Sequence, residues 1–345
     1  METVGIIIPT MNRVDFIVRA LTYYAKIACE HTIYIGDASN ESNSVMLQSF
    51  IRRITGKLKI NYFHWPNVSI SKTIYELSHL VVEKYSCIIC DDDFIIPSSV
   101  SKCATFLQNN QQYRTAQGKA LLFSLDVSGP YGRVLTSSTY WNKVDSEWES
   151  AHERLEHFAR RYWVPQFSVH RTNEFVQDME NYADVGSLDV KFGEILSCFM
   201  FICNGKSKSI DCLYLIRQAH NERYLLPEKN EWLKSEHWQQ TFDVFCETVG
   251  CALSRQDAVA QVDAIVLVRK LFEANYLLGI SELGLSPNKS WLKFLGILKQ
   301  SLLLRKFVLH ARIRKGEMNH LALLKKSSPY YHDFLQVYDV IAKKG

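Results

Sequence analysis

Three consecutive aspartates, Asp91, Asp92 and Asp93, follow an apolar run at residues 87–90 and are the strongest candidates for chemistry in this chain. Adjacent carboxylates repel one another, and burying one without a partner carries a large desolvation cost. A divalent cation compensates such a cluster, and hard oxygen ligands suit Mg²⁺ or Mn²⁺, which usually share their shell with substrate phosphates. Because alternate residues of an extended chain point the same way, we expect Asp91 and Asp93 to face one ligand and Asp92 to point elsewhere. The alternative is an acidic turn that solvates a strand end.

The residues before the triplet alternate between strand and helix patterns, which predicts a parallel sheet with right-handed crossovers. Ligands of such sheets bind beyond the carboxyl ends of the strands. Three predicted strand ends carry polar residues, so we expect these residues to converge. They are Thr10, Asn12 and Arg13 after the first strand, Asp37 and Ser39 after the second, and Asp91 and Asp93 after the fourth.

These motifs, in their order and spacing, resemble those of GT-A nucleotide-sugar glycosyltransferases. The closest resemblance is to family-2-like enzymes of bacterial surface polysaccharide synthesis, and it covers roughly residues 4–220. The motifs are residues 8–13 (Ile-Pro-Thr-Met-Asn-Arg), residues 36–39 (Gly-Asp-Ala-Ser) and the aspartate triplet. Ala38 stands where the family more often has glycine, which leaves the carboxylate of Asp37 in place. The resemblance implies an α/β fold of the GT-A (Rossmann-like) kind, with a mostly parallel sheet flanked by helices.

The resemblance also implies roles for individual residues. Asp91 and Asp93 form the DxD motif, with Asp93 as a ligand of Mn²⁺ or Mg²⁺ and Asp91 nearer the ribose. Asp37 contacts the base or ribose, and Lys72 approaches the base or diphosphate. The residues placed at the nucleotide are Pro9, Thr10, Arg13, Asp37, Lys72, Asp91, Asp92 and Arg217.

Two carboxylates, Asp189 and Glu194, are candidates for the general base. The family usually carries its catalytic carboxylate at the N-terminus of a helix, where Asp189 lies. Aspartate is also a common helix N-cap, so Asp189 has a structural alternative. Glu194, five residues further, is the rival base. Leu188 replaces the glutamate of the usual Glu-Asp pair, which leaves the choice open.

A last strand pattern at residues 209–220 leads to Arg217 and His220. A late histidine completes the metal shell in many GT-A enzymes, and His220 falls where it would be; the alternative is a surface or packing residue. The guanidinium fork of Arg217 suits the oxygens of a departing diphosphate. It has two alternative partners, Asp211 and Asp37.

The length of 345 residues is enough for two domains, and we expect a catalytic domain at residues 1–224 and a helical domain at 225–345. No signal peptide and no run of about twenty apolar residues is visible. Nine cysteines, an odd number mostly within apolar patterns, indicate reduced buried thiols. We therefore expect a cytoplasmic location. Cys87 and Cys90 lie within a predicted strand, which argues against a thioredoxin-like redox pair.

The helical region has predicted helices at residues 231–250, 257–279 and 290–314. Residues 289–326 contain ten lysines and arginines against one acidic residue, Glu317, together with many aliphatic and aromatic residues. A basic amphipathic helix with tryptophan and phenylalanine is typical of peripheral contact with an anionic membrane surface, here the inner face of the cell membrane. The alternative is a bundle helix with a solvated basic face. Nucleic-acid binding fits this aliphatic surface less well.

The first functional hypothesis is a metal-dependent hexosyl- or related sugar transferase that inverts the anomeric configuration. Its acceptor would be a hydroxyl of a glycan or lipid-linked glycan. The second is another metal-dependent phosphate enzyme, such as a sugar nucleotidyltransferase. That enzyme would show a glycine-rich basic loop after the first strand, and residues 9–13 contain no glycine. A non-catalytic binding module would not require a carboxylate triplet at a sheet end.

If residues 290–314 lie on a membrane, the protein will co-sediment with anionic vesicles and be released by salt, because each lysine or arginine near the surface contributes about 1 kcal/mol. Replacing Lys299, Arg305, Lys306 and Arg312 with glutamine will lower vesicle binding, and zwitterionic vesicles serve as the control. Equal sedimentation of this variant would contradict the membrane hypothesis.

Overall fold

The structure is a computed structural model that describes residues 2–220, 236–277 and 318–342. The predicted basic helix at residues 290–314 falls outside these residues, as does the predicted domain boundary at 224–225. The division into two domains and the membrane contact therefore stay predictions.

Nine strands in the described residues form one sheet, in the order β3-β2-β1-β4-β8-β6-β9-β5, with β7 paired to β6. The strands are β1 (Val4–Thr10), β2 (Thr32–Asp37), β3 (Lys59–His64), β4 (Tyr85–Ile88), β5 (Phe94–Ile95), β6 (Tyr113–Leu125), β7 (Val134–Trp141), β8 (Val169–Arg171) and β9 (Lys206–Gln218).

Helices connect the strands and make up the C-terminal part of the described chain. They are α1 (Val14–Lys26), α2 (Glu41–Arg53), α3 (Ile70–Leu80), α4 (Pro97–Asn109), α5 (Ala151–Arg160), α6 (Thr172–Asp178), α7 (Tyr182–Leu188), α8 (Val190–Cys203), α9 (Trp238–Asp257), α10 (Gln261–Phe272), α11 (His320–Leu323) and α12 (Tyr331–Ile341). The predicted α/β class with a helical C-terminal region is confirmed. None of the described helices is long and apolar enough to cross a membrane.

The first four strands run parallel, as the alternating pattern predicted. Both β1 and β2 are buried along their whole length, which explains the apolar run of β1 and the apolar centre of β2 at residues 33–35. Their register places Pro9 opposite Gly36 and Thr10 opposite Asp37. The carboxyl ends of these strands therefore lie side by side.

The second part of the sheet mixes directions. Strand β9 runs parallel to β6, whereas β8 and β7 run antiparallel to their neighbours. The short β5 pairs antiparallel with the end of β9, with Phe94 opposite Ile216. Because Phe94 directly follows the aspartate triplet, this pairing brings the triplet to the carboxyl end of β9.

Close backbone packing fixes helix α8 against α7 and α3. A Cβ atom on Gly186 would lie 2.3 Å from Ser71 Oγ, and one on Gly193 would lie 2.8 Å from Gly186 Cα. Any larger side chain at either glycine would force the helices apart. The start of α8, where Asp189 lies, therefore has a fixed position relative to the sheet.

The C-terminal helices pack onto the same core as the sheet. Phe192 of α8 stacks edge-to-face with Phe245 of α9, at 5.6 Å between ring centroids. Helix α12 lies against α1, where Lys26 and Asp339 form an ion pair at 3.0 Å. Its last residue, Ile341, accepts a hydrogen bond from Gly132 N at 3.1 Å.

His170 on β8 is a buried titratable group of this core. Its side chain is 1% exposed, its Nε2 lies 3.0 Å from the Pro165 carbonyl oxygen, and its ring packs against Phe175 and Phe201. Burial lowers the pKa of His170 to about 3. The ring is therefore neutral in the folded protein at neutral pH.

This burial predicts a loss of stability in mild acid. The unfolded chain protonates His170 near its ordinary pKa of about 6.5, so the stabilisation is complete above that pH and is lost as the pH falls toward about 3. In this window the free energy of unfolding falls by up to about 1.4 kcal/mol per pH unit. Urea unfolding between pH 7 and 5 will show a steeper decline for the native chain than for His170→Gln. The exposed His79, changed to glutamine, is the matched control, and equal slopes in the native chain and His170→Gln would contradict the prediction.

Candidate active site

The three aspartates lie in a turn between β4 and β5, here called the acid turn (residues 90–93). Strand β4 ends at Ile88, and Asp93 N donates to the Cys90 carbonyl oxygen at 3.2 Å. The predicted strand at residues 87–90 thus ends two residues early. We expected the side chains of Asp91 and Asp93 to point the same way because alternate residues do so on an extended chain. The backbone turns here, so that argument does not apply. Asp91, Asp92 and Asp93 are 3%, 5% and 1% exposed.

Asp91 is held by the end of β1 and by the loop that follows it. Thr10 Oγ1 donates to Asp91 Oδ2 at 2.7 Å, and the Arg13 guanidinium donates to both carboxylate oxygens. Arg13 also lies 3.1 Å from Asp92 Oδ2. The structure therefore brings the predicted residues Thr10 and Arg13 together with the acid turn.

Asp92 and Asp93 are held by the end of β9. Asp93 accepts from Arg217 Nε at 2.7 Å and from Gln218 N at 2.9 Å. Asp92 Oδ2 lies 2.8 Å from His220 Nε2. Arg217 and His220, which the sequence placed at the site, thus contact adjacent carboxylates. Arg217 pairs with neither of the alternatives predicted for it, because the β5–β9 pairing presents Asp93 instead.

Three guanidinium groups compensate the three carboxylates, those of Arg13, Arg217 and Arg19. Arg19 donates to the carbonyl oxygen of Asp92 rather than to a carboxylate. Burial raises the pKa of Asp91 and Asp93, which Arg13 and Arg217 respectively oppose. Burial also raises the pKa of Asp92, but the hydrogen bond with His220 and the charge of Arg13 outweigh it, and the net pKa is lowered. Arginine therefore supplies much of the compensation that the sequence assigned to a metal ion.

A divalent cation still fits one part of the acid turn. Cys90, Asp92 and Asp93 each offer a ligand atom within 4.8 Å of the other two, a group that does not include Asp91. Asp92 Oδ1 is buried and has no hydrogen-bond partner among the described residues. Two carboxylates with one unpartnered oxygen suit a hard cation that takes its other ligands from water and phosphate. Asp92 and Asp93 are therefore better candidates for metal ligands than Asp91.

The structure does not bring Asp37 or Lys72 to the acid turn. Asp37 is fully buried, and its oxygens accept from Ser39 N at 2.9 Å and from the Tyr62 hydroxyl at 2.6 Å. These bonds fix the turn after β2. Lys72 lies exposed in the first turn of α3, and its ammonium group forms no ion pair within the described part of the chain. Their roles at the nucleotide stay predictions.

Asp189 is the N-cap of α8, as its structural alternative predicted. Its Oδ1 accepts from Phe192 N at 2.9 Å, while Oδ2 has no hydrogen bond among the described residues. Glu194 is more fully engaged: its Oε1 lies 2.6 Å from Lys191 Nζ and 3.0 Å from the Tyr162 hydroxyl. Each carboxylate therefore keeps one oxygen without a hydrogen bond among the described residues. The difference is that Glu194 already forms an ion pair with Lys191, whereas Asp189 forms none with a described residue.

Tyr140 of β7 contacts Arg217, the residue that pairs with Asp93 of the acid turn. The Arg217 guanidinium donates to the Tyr140 hydroxyl at 3.0 Å and packs over the rings of Tyr140 and Phe167. Burial lowers the pKa of Lys191, but Glu194, and to a smaller extent Tyr140, raise it above its ordinary value. Tyr140 is 37% exposed, so it is accessible to solvent beside Arg217.

The sequence interpretation missed three residues of this site: Arg19, Tyr140 and Gln218. Arg19 carried a signal, because it lies three residues after Phe16 and four before Tyr23 on the apolar face of α1, where a charge needs a partner. Tyr140 and Gln218 had no local signal. Their positions depend on strand pairings between distant parts of the chain.

Comparison with models of known protein families gives no match, and neither does comparison with curated proteins. Among solved structures, the chain is similar to residues 1–349 of TarS from S. aureus, with 13% identity and a TM-score of 0.49 over 79% of this chain and 72% of that one. The TarS fragment in complex with UDP gives 12% identity and a TM-score of 0.48 over 79% and 71%. Its complex with UDP-GlcNAc gives 13% and 0.47 over 74% and 71%.

The geometry predicts that Asp92 and Asp93 bind a divalent cation and that Asp91 does not. Asp92→Asn and Asp93→Asn will each weaken Mn²⁺ binding about tenfold or more, because each loses a charged oxygen ligand. Asp91→Asn, the matched control, will keep Mn²⁺ binding because its partners are Thr10 and Arg13. Electron paramagnetic resonance of free Mn²⁺ measures the affinity, and circular dichroism checks the fold. Loss of binding only in Asp91→Asn would contradict this assignment.

Proposed function

We propose that the chain is a metal-dependent glycosyltransferase, which moves a sugar from a nucleotide-sugar donor to a hydroxyl of a glycan or lipid-linked glycan. One observation carries the proposal: the acid turn, with an unpartnered carboxylate oxygen on Asp92, lies among Arg13, Arg217 and His220 at the carboxyl ends of the strands. The carboxylates of such a site can bind a metal ion, and its guanidinium groups can bind a diphosphate. The resemblance of the sequence motifs to GT-A enzymes supports the same assignment.

Arg13 and Arg217 are suited to the diphosphate of the donor. Each guanidinium presents several donors in a rigid plane that matches phosphate oxygens. Both are only partly exposed, at 19% and 16% of the side chain, so phosphate contacts there are weakly screened by water. In this proposal the phosphate oxygens share these donors with Asp91 and Asp93.

Asp92 and Asp93 would hold the metal ion, Mn²⁺ or Mg²⁺. When bound, the ion supplies positive charge to the diphosphate leaving group. Cys90, the third member of this group, contributes a neutral thiol, because burial and then the neighbouring carboxylates raise its pKa far above the ordinary value. The thiol therefore adds no negative charge to the site.

Asp189 is our candidate for the general base. The carboxylate takes the proton of the acceptor hydroxyl while that oxygen attacks the anomeric carbon, and this gives inversion when the attack comes from the face opposite the nucleotide. Oδ1 remains bound to Phe192 N, so the cap orients the carboxylate and Oδ2 receives the proton. Glu194, held by Lys191 and Tyr162, is the alternative base.

A panel of donors tests the reaction itself. Purified protein is incubated with UDP-, GDP-, CMP- and dTDP-sugars, with and without Mn²⁺ or Mg²⁺, and release of the free nucleotide is measured. We expect metal-dependent release from one nucleotide class, by slow hydrolysis without acceptor and faster with a glycan acceptor. Release from none of the donors, with a folded protein and either metal, would contradict the proposed reaction.

The two roles of Asp189 can be separated because asparagine and serine cap a helix about as well as aspartate. Asp189→Asn and Asp189→Ser will keep thermal stability but lower transfer about a hundred- to ten-thousandfold, as expected for loss of a general base. Asp189→Ala will lose transfer and about 1 kcal/mol of stability as well, because it also removes the cap.

Glu194→Gln is the matched comparison. It keeps a hydrogen-bonding side chain beside Lys191 and Tyr162, and we expect it to retain most of the transfer activity. Near-normal transfer in Asp189→Asn combined with loss in Glu194→Gln would reassign the base to Glu194.

A further inference from the structure

Arg19 is a buried arginine that contacts the backbone of the acid turn. It lies on α1 with 0% exposure, and its guanidinium packs between the rings of Phe16 and Phe94, at 5.3 Å and 4.7 Å from their centroids. It donates to the Asp92 carbonyl oxygen and to Gln218 Oε1. The Arg19 side chain thus joins the backbone of Asp92 in the acid turn to Gln218 at the end of β9.

The third acceptor of Arg19 is the Pro130 carbonyl oxygen, at 2.6 Å. Pro130 belongs to the loop between β6 and β7, here called the β6–β7 loop (residues 126–133). Gln218 Nε2 donates to Gly129 O of the same loop at 2.9 Å. The Arg19 side chain therefore links the loop directly to the acid turn, and the Gln218 side chain links the loop to the end of β9. Both side chains are almost fully buried.

The outer side of the β6–β7 loop is held by the C-terminal helix. Gly132 N donates to the carbonyl oxygen of Ile341, the last residue of α12, at 3.1 Å. A Cβ atom on Gly132 would lie 2.8 Å from Val127 Cγ2, so the loop is closely packed on itself. The loop thus has fixed contacts on both sides, and Arg19 is the one that reaches the acid turn.

The charge of Arg19 acts on the whole acid turn. Burial lowers the pKa of Arg19 to about 10, against the opposing charges of Asp92, Asp93 and Asp91. The guanidinium is still cationic at neutral pH. It contacts no carboxylate oxygen directly, so its hydrogen bonds and its charge have separate consequences.

We propose that Arg19 is a positioning residue: it holds the acid turn at a fixed place relative to the β6–β7 loop and offsets part of the negative charge of the turn. The inference rests on the proposed function for its effect on catalysis. Replacing Arg19 with a neutral residue has two opposite effects. The more negative turn binds a divalent cation more tightly, while transfer slows because the ligands are no longer held in place.

Two substitutions separate these effects. Arg19→Gln removes both the positive charge and the planar guanidinium group. We expect the loss of charge to raise Mn²⁺ affinity severalfold, and the loss of the hydrogen bonds to lower kcat about ten- to a hundredfold. Arg19→Lys keeps the charge but not the planar fork, so we expect a similar fall in kcat with Mn²⁺ affinity close to that of the native chain.

Arg154 provides a matched control. It is also a buried arginine, 4% exposed, and donates to the carbonyl oxygens of Trp148, Glu149, Ile202 and Cys203, at the opposite end of β9 from the acid turn. Arg154→Gln will lower stability without raising Mn²⁺ affinity. An equal fall in kcat in Arg154→Gln and Arg19→Gln at matched stability would overturn the proposal, since the effect would then be one of folding alone.

Hydrogen exchange gives a readout that does not depend on the reaction. In Arg19→Gln and Arg19→Lys, exchange will become faster at the amides of residues 90–95 and 126–133, whereas in Arg154→Gln it will not. Unchanged exchange at both segments overturns the proposal even if the donor panel shows transfer. Faster exchange supports it even if the panel shows none, in which case only the proposed function has failed. Should Arg19→Gln not fold, Gln218→Met, which removes one acceptor of Arg19 and the donor to Gly129, tests the same contacts.

Discussion

Burial of three adjacent carboxylates is the constraint on which the rest of this structure depends. A buried charge is tolerated only when cations and hydrogen bonds compensate it, because its desolvation cost exceeds what a single imperfect contact returns. The compensation here comes from three separate places: the loop after β1, the buried face of α1 and the end of β9. Each of these elements must be correctly placed for the acid turn to exist. The balance is incomplete at Asp92 Oδ1, which remains without a partner among the described residues.

The compensation of these charges depends on the mixed topology of the sheet. A parallel sheet alone would bring Thr10 and Arg13 next to the acid turn, since their strands are neighbours in the first half. Arg217 and His220 arrive from the other half, through the antiparallel pairing of a two-residue strand with β9. The same pairing places Gln218 where it contacts both Asp93 and the β6–β7 loop. The ion pair of Arg217 with Asp93 and the contact of Gln218 with the β6–β7 loop thus share one strand end.

The sequence predicted what depends on local periodicity and missed what depends on distant pairing. The apolar runs of β1 and β2 and the helix faces between them are local, and these elements are confirmed. Ile89 and Cys90 continue the apolar run after β4, so the pattern could not show that the chain turns there to meet β9. The cap at Asp189 was readable because a helix start has a short-range signature. The partner of Arg217 was not, because Asp93 lies 124 residues away from it.

That separation has a consequence for how the protein is made. The ribosome adds the three aspartates early, together with Arg13 and Arg19. It adds Arg217, the counterion of Asp93, only after more than half of the chain has been translated. Until β9 leaves the ribosome, the acid turn lacks both β-sheet pairing for residues 94 and 95 and a counterion for Asp93. Contacts of such sequence separation form late, because loop closure must precede them. We therefore expect the acid turn of the nascent first half to stay hydrated until β9 joins the sheet.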